Sequence, residues 1–212
     1  MRRSSGGAED GDGRETGRIY GRRTRAGAVL SATLIPFSGL AVSRWRNGAG
    51  RKADIAAGPD WLVGFAWLDA DAPFSDYVGH DRTITLIEGP GFTLEFGPRH
   101  DALDVQIPYA PRPFDGGRTA YCRVPDGPCI VLNAMTARAT WTHSVSVEPA
   151  AVLAAPAPGG VAFLVVLEGS VVIDGRIAGP RDTFRLTSAV TPHSGGAART
   201  ALIRIDPIRP GA

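Results

Sequence analysis

The length and composition of the chain favour an all-β protein. It has 212 residues, of which 43% are hydrophobic and 21% are charged, so a sizeable core can form. Its 27 glycines and 17 prolines make up about a fifth of the chain, against about 12% in average proteins. Because both residues disfavour helix interiors, a helix bundle and a coiled coil are excluded.

The formal net charge of +2 comes from the first 30 residues. That segment holds seven arginines and four acidic residues, whereas residues 31–212 hold 16 basic and 17 acidic residues. The body of the chain lacks the basic excess of a nucleic-acid binder, so we expect no nucleic-acid partner. No apolar run reaches the roughly 18 residues of a membrane span. We therefore expect no membrane partner and a cytoplasmic location.

Residues 1–30 are predicted to form a disordered basic tail, because they are polar, rich in glycine and without periodicity. Arg22-Arg23, followed by the mildly apolar segment 26–34, resembles a twin-arginine export signal. Polar residues interrupt that apolar run and Pro36 ends it, so we favour the tail.

From about Val29 onward, short alternating segments are separated by turns. The predicted strands, in chain order, are 65–71, 83–87, 92–96, 103–107, 129–132, 144–147, 161–167, 171–173, 183–186 and 201–205. Gly-Pro and Asp-Gly pairs between them indicate turns. No window of a dozen residues shows a convincing helical stripe.

One short pattern occurs once in each half of the chain. Leu-Ile-Glu-Gly at 86–89 and Val-Leu-Glu-Gly at 166–169 each stand between two predicted strands. A Glu-Gly hairpin of this kind is typical of cupins, so we predict a bicupin, two small β-barrels of jelly-roll type. The predicted first cupin half is 31–148, and the linker with the second half is 149–212.

The sequence carries no metal or nucleophile signature. None of the four histidines forms a His-x-His pair, and a transition metal needs three or four converging ligands, so we predict no metal and no other cofactor. Cys122 and Cys129 alone cannot build a thiolate zinc site, and nothing else implies a disulfide. There is no Gly-x-Ser-x-Gly motif and no phosphate-binding glycine loop.

The first candidate binding element is the segment 45–50. Its two glycines, Gly48 and Gly50, and Asn47 allow positive φ, so the loop can fold tightly and point amides inward. Trp45 offers an apolar wall. The competing interpretation is a structural turn.

Two further polar segments contribute candidates. Arg82, at the end of the segment 73–82, can form a forked pair of hydrogen bonds with a carboxylate, and Asp81 can orient it or bind a ligand donor. Asn133 and Arg138 can add donors to the same pocket. A surface ion pair and a hairpin cap are the competing interpretations.

Four ordered elements together resemble the HutD/Ves family of bicupins, which is associated in bacteria with histidine utilisation. The matching residues are Trp45, Arg46, Asn47, Gly48 and Gly50; Phe74, Ser75, Gly79, Asp81 and Arg82; Glu88, Gly89 and Gly91; and Gly127, Pro128, Asn133, Met135 and Arg138. The agreement in order and spacing runs from about Leu34 to Asp206. Ala49 departs from the glycine of the family, and Arg51-Lys52 replace threonines that commonly follow the motif.

The resemblance implies a metal-free bicupin, without catalytic residues, that modulates histidine utilisation by binding a small anionic ligand. A small carboxylic acid such as urocanate or a formylated amino acid would suit the site. Arg82 would pair with its carboxylate, Asn47 and nearby amides with a second polar group, and Trp45 or Phe74 would pack on its apolar part. The implied ligand-binding residues are Trp45, Asn47, Gly48, Gly50, Phe74, Ser75, Asp81, Arg82, Asn133 and Arg138.

Two other functions stay open at this point. A metal-free cupin enzyme, either an isomerase or a hydrolase acting on a small carboxylic acid, would use Asp81, Glu88 or His80 as acid–base groups. A structural or interaction module is the third alternative. Because bicupins often bury sheet edges between subunits, a homodimer is the candidate assembly.

Overall fold

The structure, a computed structural model, describes residues 30–45, 50–97, 101–149, 153–194 and 196–208. The prediction of a disordered tail falls on residues that lie, except for Leu30, outside this range. Asn47 and Gly48 of the predicted ligand-binding set also lie outside it.

The described residues form β-strands and one short 3-10 helix at Phe37–Gly39, which confirms the all-β class. The strands are β1 (Ala32–Ile35), β2 (Val42–Arg44), β3 (Gly50–Gly58), β4 (Trp61–Leu68), β5 (Ala72–Phe74), β6 (His80–Glu88), β7 (Phe92–Phe96), β8 (Asp101–Val105), β9 (Arg112–Asp115), β10 (Ala120–Arg123), β11 (Cys129–Ala137), β12 (Trp141–Pro149), β13 (Val161–Glu168), β14 (Val171–Ile173), β15 (Arg176–Ala178), β16 (Thr183–Leu186), β17 (His193–Ser194) and β18 (Arg199–Pro207). No helix in this part of the chain is long and apolar enough to cross a membrane.

Strands from the first half form two facing sheets around an apolar interior. A six-stranded sheet has the order β2-β3-β4-β11-β6-β9, and a four-stranded sheet has the order β5-β10-β7-β8. Successive side chains of a strand point to opposite faces, so Ile84 and Leu86 of β6 point inward together. They meet Phe92 and Leu94 of the facing sheet, and all four side chains are fully buried.

The second half repeats this plan. A five-stranded sheet, β1-β16-β13-β18-β12, faces a three-stranded sheet, β15-β14-β17. Leu164, Val171 and Phe184 lie in the interior between them and are fully buried. Strands β1 and β12 pair within this second-half sheet, although the predicted boundaries assign them to the first half; the boundaries themselves stay a prediction.

A third apolar core joins the two barrels, as expected for a bicupin. Phe65 and Leu132 from the six-stranded sheet pack against Phe163 and Ile203 from the five-stranded sheet, and all four are at most 2% exposed. Burying a large apolar side chain stabilises the fold by roughly 1.5–3 kcal/mol, so this interface holds the two barrels together.

A polar contact accompanies this interface. His143 of β12 lies between two threonines of the six-stranded sheet. Its Nε2 is 2.9 Å from the Thr83 hydroxyl and its Nδ1 is 2.7 Å from the Thr136 hydroxyl. Burial lowers the pKa of His143, while the charge of Asp81 acts in the opposite direction.

The repeated Glu-Gly element has a different role from the predicted hairpin. Strand β6 belongs to the six-stranded sheet and β7 to the four-stranded sheet, so Glu88-Gly89 forms a corner between two sheets. The same holds for Glu168-Gly169 between β13 and β14. Gly89 has φ +108°, and a Cβ there would lie 2.6 Å from the carbonyl oxygen of Pro128. Only glycine fits such a corner, which explains why the pattern recurs in both halves.

Candidate functional site

Arg82 lies on the inner face of the first barrel, near the start of strand β6. The strand register places it beside Met135 of β11 and Phe114 of β9. Residues two apart on a strand point to the same face, so Arg82 shares the inner face with Ile84, which is fully buried. The Arg82 residue is only 7% exposed.

The guanidinium of Arg82 uses few of its five N–H donors. Nη1 donates to the backbone carbonyl of Ser75 at 3.0 Å, and Nη2 donates to Oδ1 of Asn133 at 3.4 Å. Nε is buried and has no hydrogen-bond partner among the described residues. No carboxylate of those residues forms an ion pair with Arg82. Burial lowers the pKa of Arg82 to about 10, although nearby Tyr77 opposes the change, so the group stays charged at neutral pH.

Three aromatic rings surround this charge. The Cζ atom of Arg82 lies 4.6 Å from the ring centroid of Phe74, 5.0 Å from that of Phe114 and 5.3 Å from that of Tyr77. A cation this close to a ring face is stabilised by roughly 0.5–2 kcal/mol, which offsets part of the cost of burial. Trp45 packs edge-on against Phe74, with ring centroids 5.9 Å apart, and so forms the outer part of the same aromatic wall.

Two glycines leave space for the side chains of Arg82 and Trp45. A Cβ on Gly116 would lie 2.8 Å from Cδ of Arg82 and 2.9 Å from the His80 carbonyl oxygen. A Cβ on Gly50 would lie 2.9 Å from the Trp45 ring. At Gly50 the same Cβ would also lie 2.5 Å from the carbonyl oxygen of Trp67, so at both positions a side chain and a backbone oxygen approach too closely for any residue but glycine.

Asp81 and Arg138 lie together, apart from the Arg82 guanidinium. Nε and Nη2 of Arg138 donate to Oδ1 of Asp81 at 2.9 and 2.7 Å, and Nη2 also donates to Oδ1 of Asp115 at 3.0 Å. The Gly117 N–H and Arg138 together lower the pKa of Asp115. Asp81 directly precedes Arg82 on β6, so the two side chains point to opposite faces of the sheet.

This ion-pair network supports the loops of the site. The backbone N–H of Arg138 donates to the carbonyl of Gly79 at 2.8 Å, and the N–H of Tyr77 donates to the carbonyl of Gly116 at 2.6 Å. Asp115 also accepts the Gly117 N–H at 3.0 Å. Arg138 and Asp81 thus contact the turns around Arg82, and neither contacts its guanidinium.

The structure therefore brings together five of the ten predicted ligand-binding residues, which are Trp45, Phe74, Ser75, Arg82 and Asn133. Gly50, another of the ten, lies directly against the Trp45 ring. Tyr77, Phe114 and Gly116 were not predicted. Tyr77 carried a weak signal, because it is an aromatic residue between Phe74 and Arg82 in one loop. No sequence signal pointed to Phe114 or Gly116, because their positions next to Arg82 depend on the pairing of β9 with β6.

The remaining candidate acid–base and metal-binding groups form no site comparable to the surroundings of Arg82. Glu88 pairs with Arg181, and Nδ1 of His80 lies 3.0 Å from the carbonyl of Val78; neither side chain contacts Arg82. Cys122 and Cys129 are buried free thiols, and burial raises the pKa of Cys122 to about 12. Among the described residues, no group of three or more His, Cys, Asp or Glu side chains is placed to hold a metal.

Two open clefts of about 360 and 260 Å³ lie on the second half of the chain. The larger is lined partly by Thr33 and Arg185, and the smaller partly by Ser146 and Arg204. Both arginines are at least partly exposed, and Arg204 donates to two backbone carbonyls. Arg82 is the better candidate because its charge is buried and its Nε lacks a partner among the described residues, whereas the arginines of these clefts are at least partly exposed.

Comparison with solved structures agrees with this fold. The conserved protein of unknown function PA5104 from Pseudomonas aeruginosa PAO1 aligns with a TM-score of 0.72 at 16% identity, covering 84% of this chain and all of that one. HutD from Pseudomonas fluorescens SBW25, described for a formate condition, aligns with a TM-score of 0.70 at 19% identity over 84% of this chain and 100% of that one. A cupin 2 conserved barrel domain protein from Leptotrichia buccalis gives a TM-score of 0.53 at 13% identity, covering 85% and 98%. At these identities the alignments show the cupin fold.

The family assignment comes from the sequence itself. The model of the HutD family matches residues 38–201, which include every strand of the first barrel and the whole Arg82 site. The match covers well over half of the 212 residues. The chain belongs to the HutD family.

Proposed function

We propose that this protein binds a small carboxylic acid at Arg82 and thereby modulates histidine utilisation without turnover of the ligand. The observation that carries the proposal is the buried, charged guanidinium whose Nε has no partner among the described residues. An unpaired buried charge is costly, and proteins generally pair such charges. A ligand anion is the missing partner that this environment favours.

The arrangement of donors favours a carboxylate. The N–H of Nε and one N–H of Nη2 point to the same side of a guanidinium, and together they match the two oxygens of a carboxylate. Nη2 makes only a long bond of 3.4 Å to Asn133, so it can turn toward a ligand with little loss. The Asn133 amide also carries an NH₂ group that can donate to the same anion.

The surroundings favour a small organic acid with an apolar part. Phe74, Tyr77 and Phe114 form apolar walls around the charge, with Trp45 behind Phe74. A ligand site commonly combines such walls with a few fixed polar groups. Membership of the HutD family supports the link to histidine utilisation, and urocanate or a formylated amino acid are the acids to test first.

The test is calorimetric titration of the full chain with formate, urocanate and an N-formylated amino acid. We expect binding of at least one acid, and a loss of roughly tenfold to hundredfold in Arg82→Met, since a charge-assisted hydrogen bond contributes about 1.5–3 kcal/mol. Arg204→Met is the control, because it removes a partly exposed arginine of the second barrel that donates to two backbone carbonyls and has no contact with the Arg82 site. Its affinity should stay within roughly threefold of the wild type. Undiminished binding in Arg82→Met, or an equal loss in both variants, would overturn the assignment.

A further inference from the structure

Tyr77 differs from the other two rings around Arg82 in its exposure to solvent. Tyr77 is 41% exposed, whereas Phe74 is 6% exposed and Phe114 is half-buried against Phe96. Its ring is therefore the part of the cage that a ligand arriving from solvent meets first. Val78, next to it, is 82% exposed and extends the apolar surface.

The backbone holds Tyr77 in a fixed position. Its N–H donates to the Gly116 carbonyl at 2.6 Å, and its carbonyl accepts the N–H of His80 at 3.1 Å. Its ring also packs edge-on against the His80 ring, with centroids 6.1 Å apart. A ring that is fixed in advance loses little conformational entropy when a ligand stacks on it, so it can discriminate between ligands.

No carboxylate contacts the Arg82 guanidinium among the described residues, so the direct contacts of that group supply no anion for a positively charged part of a ligand. Arg82 itself would repel an ammonium group. Asp81 and Asp115 are both bound to Arg138 on the outside of the sheet. The remaining carboxylate of the loop, Asp76, is exposed and forms no ion pair with Arg82 among the described contacts.

We propose that Tyr77 is a specificity-determining residue, and that the site takes carboxylates with an apolar remainder and rejects α-amino acids. The inference rests on the proposed binding of a carboxylate at Arg82. The remainder of the ligand stacks on the exposed face of Tyr77, because aromatic rings favour flat or apolar groups there. An ammonium group next to the carboxylate would lie beside Arg82 without an anionic partner among the contacts of that guanidinium, and such like-charge contacts weaken binding strongly.

The test uses three probes that separate these contributions. Acetate carries the carboxylate alone, 3-phenylpropanoate adds an apolar ring, and phenylalanine differs from 3-phenylpropanoate only by its ammonium group. Each is titrated into the wild-type chain, Tyr77→Leu, Tyr77→Phe and Arg82→Met, by calorimetry or, for weak binding of acetate, by NMR. The Phe variant keeps the ring and is the matched control for the Leu variant.

We expect phenylalanine to bind the wild type at least tenfold more weakly than 3-phenylpropanoate. Tyr77→Leu should lose roughly three- to tenfold in affinity for 3-phenylpropanoate but leave acetate unchanged, and Tyr77→Phe should behave as the wild type. Equal affinity for phenylalanine and 3-phenylpropanoate, or an equal loss for acetate and 3-phenylpropanoate in Tyr77→Leu, would overturn the inference.

The Arg82→Met arm separates the two proposals. Binding of 3-phenylpropanoate that depends on Arg82 but not on Tyr77 would leave the proposed function standing and remove the inference. Binding that does not depend on Arg82, or no binding of any carboxylate to the wild type, would remove the proposed function and the inference with it.

Discussion

Replacing Arg82 with methionine should lower the stability of the ligand-free protein only modestly. Burial lowers the pKa of Arg82 to about 10, against an ordinary value of about 12.5. At 1.36 kcal/mol for each pKa unit, keeping the charge buried costs about 3 kcal/mol. Because the folded-state pKa is the lower one, the cost is fully present at neutral pH and fades only as the pH rises past about 10.

Methionine removes this cost but also removes favourable contacts. The three ring contacts of the guanidinium contribute roughly 0.5–2 kcal/mol each, and the hydrogen bonds to Ser75 and Asn133 are lost as well, so these losses offset the gain. Methionine has a flexible apolar side chain and can fill most of the vacated space among Phe74, Tyr77 and Phe114. We therefore expect the free energy of unfolding to fall by no more than about 2 kcal/mol, whereas removing one partner of a paired buried charge costs about 3–5 kcal/mol.

The assay is urea unfolding of the full chain at neutral pH, followed by circular dichroism. Arg118→Met is the control, because it removes an arginine that also contacts a ring, Phe96, but pairs with Asp101 near the surface. Saturating carboxylate should raise the unfolding midpoint of the wild type and of the control but not of Arg82→Met. A loss of more than about 3 kcal/mol in Arg82→Met would show that the guanidinium supports the fold through its protein contacts, and that it does not need a ligand as its partner.

Three further substitutions test particular contacts. Gly116→Ala should weaken carboxylate binding and lower the free energy of unfolding by about 1–3 kcal/mol, because its Cβ displaces the Arg82 stem; unchanged affinity by calorimetry would contradict this. Gly89→Ala should cost more in urea unfolding than Gly127→Ala: both glycines have positive φ, but only a Cβ at Gly89 meets neighbouring backbone. His143 has a lowered pKa, so stability should decrease as the pH falls below about 6.5, where the unfolded chain takes up the proton first. His143→Gln should make this decrease between pH 7 and 5 smaller, and an equal decrease in both proteins would assign the pH dependence to other groups.

The local features of the fold could be read from the sequence. Alternation with a period of two is a property of the strand alone, so the strands predicted at 92–96 and 83–87 coincide with β7 and with the central part of β6. The same rule places the adjacent side chains of Asp81 and Arg82 on opposite faces of the sheet. In the structure Asp81 pairs with Arg138 and not with the Arg82 guanidinium. Strand β3 was missed because a bulge between Asp54 and Ala56 interrupts its alternation.

Pairings between distant segments could not be read in this way. Strand β1 pairs with β16 from the other end of the chain, and nothing in its four residues specifies that partner. The Glu-Gly corners have a local glycine signal, but whether they join two strands of one sheet or cross between two sheets depends on packing.

Residue order and periodicity were enough to predict the all-β class, the resemblance to the HutD family and Arg82 as the leading anion-binding candidate. The surroundings of that charge depend on the folded arrangement. The pairing of β9 with β6 places Phe114 and Gly116 against Arg82, and Asp81 pairs with Arg138 on the outside of the sheet. Periodicity assigns a side chain to a face of its strand, whereas the neighbours of that side chain come from strands that meet only when the barrel closes.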